Sequence, residues 1–173
     1  MPPRRSRRVA SAAIFNVTLP FLSGNAIPHG DDAVQFLLDA TLPLMQSPPV
    51  NLGVICRWLG IEVYTQPCRA FGALFLAGKG RSILLVNSTL PQGRARFSVA
   101  HELGHLLLRH EPVSRIGEPR DLDQERQADR FASELLMPFS LLREDCRRLS
   151  FDALCRRYRV SRQAMRIRLE RIG

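Results

Sequence analysis

The chain has 173 residues, 45% of them hydrophobic, with 25 basic against 16 acidic side chains and a formal net charge of +9. That length supports one hydrophobic core with a modest appended unit and excludes a second full-sized domain within it. Cys56, Cys68, Cys146 and Cys155 show no C-x-x-C spacing, which excludes a structural zinc cluster and a secreted disulfide framework and leaves buried free thiols in a reducing compartment as the expectation.

At the N-terminus, Arg4, Arg5, Arg7 and Arg8 precede an apolar stretch over 9–22, and Gly24-Asn25-Ala26 has the look of a cleavage site. Asn16 and Pro20 interrupt that stretch, and it is too short to span a bilayer. Residues 1–25 therefore read as a disordered basic extension rather than a leader, with no membrane association and a cytoplasmic location.

The apolar spacing next predicts helices over 31–45 and 51–59, then strands over 61–66, 70–76 and 82–87. Gly78-Lys79-Gly80 reads as a hairpin turn between the last two strands. The segment 83–87 is either a strand that pairs with an extended substrate or a plain core strand.

Residues 94–109 form the most informative segment. Phe97, Val99, Ala100, Leu103 and Leu106–Leu108 make it apolar on most sides, so the helix is buried and its histidines need partners. His101-Glu102-Leu103-Gly104-His105 sets two histidines four apart on one helical face, where both imidazoles reach a single metal ion. Glu102 between them is positioned to take a proton from a water that the metal activates. Gly104 costs about 1 kcal/mol of helix propensity relative to Ala, which suggests that another backbone passes close by. His110 lies five residues past His105, roughly 140° off that face if the helix continues, and finds no ligand role.

A catalytic zinc needs a third protein ligand and an open fourth position. Residues 123–137 read as the helix that supplies it, with Asp123 as N-cap and Pro138 as the stop. At about 100° per residue, Glu125 shares a side with Ala128, Asp129, Ala132 and Leu136. Glu134, about 180° around from Glu125, should face solvent. Glu125 is thus the inward carboxylate and the candidate ligand. Asp129, one turn on, is placed to hydrogen-bond the far nitrogen of a zinc-bound histidine. An amphipathic helix with ordinary surface ion pairs is the plainer alternative.

Beyond residue 140 the chain turns strongly basic, with ten arginines against four acids over 141–173, a net of +6. Within it, residues 151–172 have a helix-turn-helix pattern, with a turn at Arg159-Val160 and Ser161 as N-cap of the second helix. Arg162, Gln163 and Arg166 would be exposed and able to meet phosphates or base edges. Leu154, Val160, Met165 and Leu169 fit instead a helix pair docked on a core. The whole chain holds a single lysine, Lys79, so the arginine excess has coding bias as one source.

Taken together, RFSVAHELGHLLL and ERQADRFASELLMP resemble the ImmA/IrrE family of small cytoplasmic zinc metallopeptidases, and the Glu-x-x-x-Asp arrangement is similar to that of gluzincins generally. The resemblance extends upstream through PVNLGVICRWLGIEV and SILLVNSTL and downstream through YRVSRQAMRIRLERIG, so that it covers about residue 26 to the end. It implies His101, His105 and Glu125 as zinc ligands and Glu102 as the general base. It also implies that the last helix pair completes the fold, so direct DNA binding is not favoured.

The expectation is an α+β fold: a small metallopeptidase core over 26–140, with a short antiparallel sheet and zinc-binding helices, followed by a helix-turn-helix-like segment over 141–173. The expected function is a zinc-dependent endopeptidase acting on a protein, foremost a helix-turn-helix transcriptional repressor, in gene regulation or stress response. A regulatory DNA- or protein-binding module with a structural or vestigial zinc site is the alternative. Tyr64, Arg96 and His110 are candidates for a second electrophile at the reacting carbonyl.

Overall fold

The computed structural model describes residues 31–41, 47–78, 81–110 and 121–172. The basic extension, the end of the first predicted helix and the Lys79-Gly80 turn lie outside these residues. Those described form seven helices and three strands: α1 (Asp31–Thr41), α2 (Leu52–Trp58), β1 (Ile61–Gln66), β2 (Ala73–Gly78), β3 (Arg81–Asn87), α3 (Gln92–Leu107), α4 (Leu122–Leu136), α5 (Phe139–Asp145), α6 (Phe151–Tyr158) and α7 (Arg162–Ile172). The class is α+β. No described helix is long and apolar enough to cross a membrane.

The sheet is mixed rather than antiparallel. Its order is β1-β3-β2, with β3 antiparallel to β2 and parallel to β1. The loop after β1 carries the chain past the place of the central strand to the far edge, and the return through β2 then runs β3 alongside β1 in the same direction. That loop is held from within: Asn87 Oδ1 accepts from the Cys68 amide at 3.2 Å, and the Asn87 side-chain amide donates to the Cys68 carbonyl. This delays β2 to Ala73, three residues later than its predicted start. Because β3 is central, both of its edges are already paired, so residues 83–87 cannot also pair with a substrate strand. Of the two edge strands, β1 and β2, the one that lies beside α3 is β2.

One core joins all layers. Leu84 of β3, Ala100 and Leu103 of α3, and Leu135 and Leu136 of α4 are fully buried, and Ile55 of α2, Tyr158 of α6 and Met165 of α7 close the same cluster. Side-chain caps begin several of these helices: Asn51 Oδ1 accepts from Gly53 and Val54, and Ser161 Oγ accepts from Ala164 at 3.1 Å. The cap of α4 is Asp121, not Asp123; Asp121 accepts from the amides of Asp123 and Gln124 at 2.8 and 3.1 Å. The helix begins earlier because a carboxylate two residues upstream reaches those open N–H groups.

The C-terminal helix pair docks rather than projects. Leu154, Val160 and Met165 are buried, and Leu169 packs against them. Arg168 donates from Nε to the Met137 carbonyl at 3.1 Å and lies 3.6 Å from Glu134, which ties α7 to the end of α4. Glu134 therefore does not simply face solvent: α7 covers it, and Arg130 and Arg168 neutralise it. Of the four cysteines, all free, only Cys56 is buried; Cys68 and Cys155 are half-buried and Cys146 is exposed.

Candidate metal centre

α3 and α4 cross at Gly104. A Cβ there would stand 3.1 Å from the Ala128 Cα and 3.2 Å from its carbonyl oxygen, so a glycine is what this approach permits. The crossing brings one turn of α3 against one turn of α4, with His101 and His105 on the first and Glu125 and Asp129 on the second.

Donor atoms from three of these residues converge. His101 Nε2 and His105 Nε2 are 3.0 Å apart, and the two Glu125 oxygens lie 3.3 and 3.2 Å from them respectively. His105 is buried, while His101 and Glu125 are half-buried at the mouth. Asp129 Oδ1 lies 2.8 Å from His101 Nδ1. An ionised carboxylate only accepts, so His101 carries its proton on Nδ1 and turns a bare Nε2 inward. Lone pairs packed this closely repel unless positive charge sits among them. A tetrahedral ion with bonds of about 2.0–2.1 Å would separate its ligands by roughly 3.3–3.4 Å, close to what these atoms show. The donor set fits a divalent metal.

Glu102 points to a different neighbour. It is buried, and its Oε2 accepts from the Phe75 amide at 3.3 Å. Phe75 is on the β2 edge that faces away from β3, since the Gly72 carbonyl, three residues earlier, already bonds Asn87 on the β3 side. The carboxylate thus sits where α3 meets the open edge of β2. Sequence patterns alone could not name Phe75, because its role follows from β2 being the edge.

The three candidate electrophiles separate cleanly. Tyr64 is on β1 with its hydroxyl on Glu62 at 2.7 Å. Arg96 donates to the Val50 carbonyl at 2.8 Å, and burial, with Arg159 nearby, pushes its pKa down. His110 is not helical. α3 ends at Leu107, Arg109 adopts a left-handed conformation (φ 55°), and the His110 ring folds back so that its Nδ1 lies 2.9 Å from His105 Nδ1. It stands behind a candidate ligand, on the side away from the donor cluster.

With this geometry in place, a peptidase family model described as the IrrE N-terminal-like domain matches residues 56–170. The chain belongs to that family. The match takes in His101, Glu102, His105, Glu125 and Asp129 and runs on through most of α7. Among solved structures, a Mycobacterium tuberculosis transcriptional regulator is similar in fold, with a TM-score of 0.58 and 18% identity over 82% of this chain. The match takes in 48% of that protein, so the chain spans about half the regulator's length. No curated protein matches the sequence.

Proposed function

We propose that this IrrE-like chain is a zinc-dependent endopeptidase that hydrolyses a peptide bond in a protein substrate. The observation that carries the reading is the convergence of His101, His105 and Glu125, whose ligand atoms all lie within 4.8 Å of one another. Glu102 stands beside them, at the free edge of β2. His101, His105 and Glu125 would hold zinc, and Asp129 would orient His101. Zinc bound there supplies Lewis-acid chemistry, acidifying water and polarising a carbonyl.

The protein's own residues supply the rest. Apart from the Phe75 N–H, which Glu102 holds, the outward N–H and C=O groups of β2 can take an extended peptide backbone, which presents its scissile carbonyl alongside α3. Glu102 accepts a proton from the attacking water and returns one to the leaving amine. Burial of Glu102 keeps bulk water from competing for that proton. Holding the Phe75 amide needs only a neutral acceptor, so a purely structural site would have no use for a proton-accepting carboxylate there.

The family resemblance, and a fold shared with a transcriptional regulator, support a helix-turn-helix repressor as substrate and gene regulation or stress response as the setting. Cysteines without paired spacing support a cytoplasmic location. Residues 26–140 would carry the chemistry and 141–173 the supporting helices, with residues 1–25 a basic extension. Direct DNA binding is not favoured, since Arg162 is engaged by Asp152 and lies 4.9 Å over the Phe151 ring. The test is incubation of the chain and zinc with the product of the neighbouring gene, with and without chelator, followed by mass spectrometry. Chelator-sensitive cleavage at one bond supports the peptidase; an intact partner with unimpaired regulatory output supports a binding module instead.

A further inference from the structure

We propose that His110, itself oriented by Gln127, acts as a positioning residue that fixes the tautomer of His105 and so aims a bare nitrogen into the metal centre. The inference rests on reading His101, His105 and Glu125 as metal ligands.

The geometry begins with the chain reversal after α3. Arg109 takes a left-handed φ of 55°, a conformation that costs a non-glycine residue on the order of 1 kcal/mol. The turn is closed by the His110 amide, which donates to the His105 carbonyl at 3.0 Å. Its consequence is to bring the two rings edge to face, 4.9 Å between centroids and 72° between planes, with the Nδ1 atoms 2.9 Å apart.

Two ring nitrogens at that distance, with no metal ion between them, need one donor and one acceptor. Gln127, on α4 between Glu125 and Asp129, decides which is which. Its Oε1 lies 3.3 Å from His110 Nε2 and accepts from it. A neutral His110 therefore carries its proton on Nε2 and leaves Nδ1 as the acceptor. His105 must then donate from Nδ1, and its Nε2 is bare where it faces His101 Nε2 at 3.0 Å and Glu125 Oε1 at 3.2 Å. The relay is Gln127 to His110 to His105. It does for His105 what Asp129 does for His101, with a neutral ring in place of a carboxylate; Asp129 shares the Glu125 side of α4, while Gln127 reaches His110 from about 200° around that helix.

The test uses the full chain. In metal-free protein labelled with nitrogen-15 histidine, imidazole shifts should report His105 protonated at Nδ1 in the wild type and a tautomer mixture in His110→Ala. Zinc titrated against a chromophoric chelator should bind His110→Ala about 10–100-fold more weakly, the usual effect of losing an outer partner of a ligand. His110→Asn keeps an acceptor near the place of Nδ1 and should stay within a few-fold of wild type. Gln127 is exposed, so Gln127→Leu leaves the fold intact and should weaken zinc a few-fold. A His105 proton on Nε2 in the wild type overturns the proposal. So does equal affinity in His110→Ala, or an Asn variant as weak as the Ala variant, which would reduce His110 to packing. Zinc that is absent from the wild type, or retained in His105→Ala, rejects the metal reading itself; the shifts, taken without metal, still decide the relay.

Discussion

The carboxylate of Glu102 accepts the backbone N–H of Phe75 at 3.3 Å, which couples the candidate base on α3 to the free edge of β2. That one bond makes Glu102 a tie between helix and sheet, a duty separable from its proposed role as base. Gln keeps an acceptor oxygen for Phe75 but cannot take a proton. Glu102→Gln should therefore retain its zinc and unfold within a few degrees of wild type, while substrate cleavage falls about 10²–10⁴-fold, as for loss of a general base. Glu102→Ala should lose stability as well. Calorimetry and a cleavage assay on the two variants separate the duties; a Gln variant that cleaves at the wild-type rate removes Glu102 from the chemistry.

Metal content should divide the two acids of α4. Glu125→Ala deletes a donor within 3.3 Å of both histidines and should leave purified protein without stoichiometric zinc. Asp129→Asn keeps the shape but weakens the acceptor 2.8 Å from His101 Nδ1, so zinc should still bind, about 10–100-fold more weakly. Elemental analysis and chelator competition give both numbers. Full zinc in Glu125→Ala would move the third ligand elsewhere.

Much of this centre was legible in the sequence because helices carry their geometry in their spacing. His101 and His105 at four residues, and Glu125 on the same side as Ala128, needed only the helical repeat. Gly104 even announced the crossing that α4 makes. What could not be read depended on where elements stop and which strand lies at the edge. His110 looked misplaced only while the helix was extended through Arg109. β3 looked available to a peptide only until its two neighbours were known. Glu134 looked solvent-facing because α7, which brings Arg168 to it, is more than thirty residues away in sequence.

The C-terminal helices should behave as part of the core. Met165 is fully buried, and Met165→Ala should cost about 2–5 kcal/mol of stability. Gly93→Ala tests the same docking from α3: its Cβ would meet the Ser161 amide nitrogen at 3.0 Å and the Val160 carbonyl carbon at 3.1 Å, backbone atoms that cannot swing away. Arg162→Ala and Arg166→Ala should leave retention on DNA near that of any basic protein. Denaturant unfolding and a salt-series gel shift measure the two effects; a steep salt dependence abolished by the arginine changes would reassign α7 to DNA.

Stability should also fall in alkali through Cys56. Burial pushes its thiol up to about 12, against a value near 8.5 for an unfolded cysteine. The folded state thus holds a proton that the unfolded state gives up. The resulting stability is fully present below about pH 8.5 and drains as pH rises toward the folded value. Wild type should lose more stability than Cys56→Ala between about pH 9 and 11. An alkylating reagent at mild alkaline pH should reach the exposed Cys146 first and Cys56 only on unfolding.

The tight passage of Gly104 over Ala128 has a thermodynamic consequence. Donors twenty residues apart in sequence, His105 and Glu125, meet only when that passage is closed, so an ion bridging them would clamp two otherwise separate stretches of chain. Such a clamp binds the folded state alone and adds about 4 kcal/mol when free metal exceeds its dissociation constant a thousandfold. Zinc supply would then set the lifetime of the folded chain as well as its activity, and scarcity would expose the interface of α3 and α4 to unfolding and turnover.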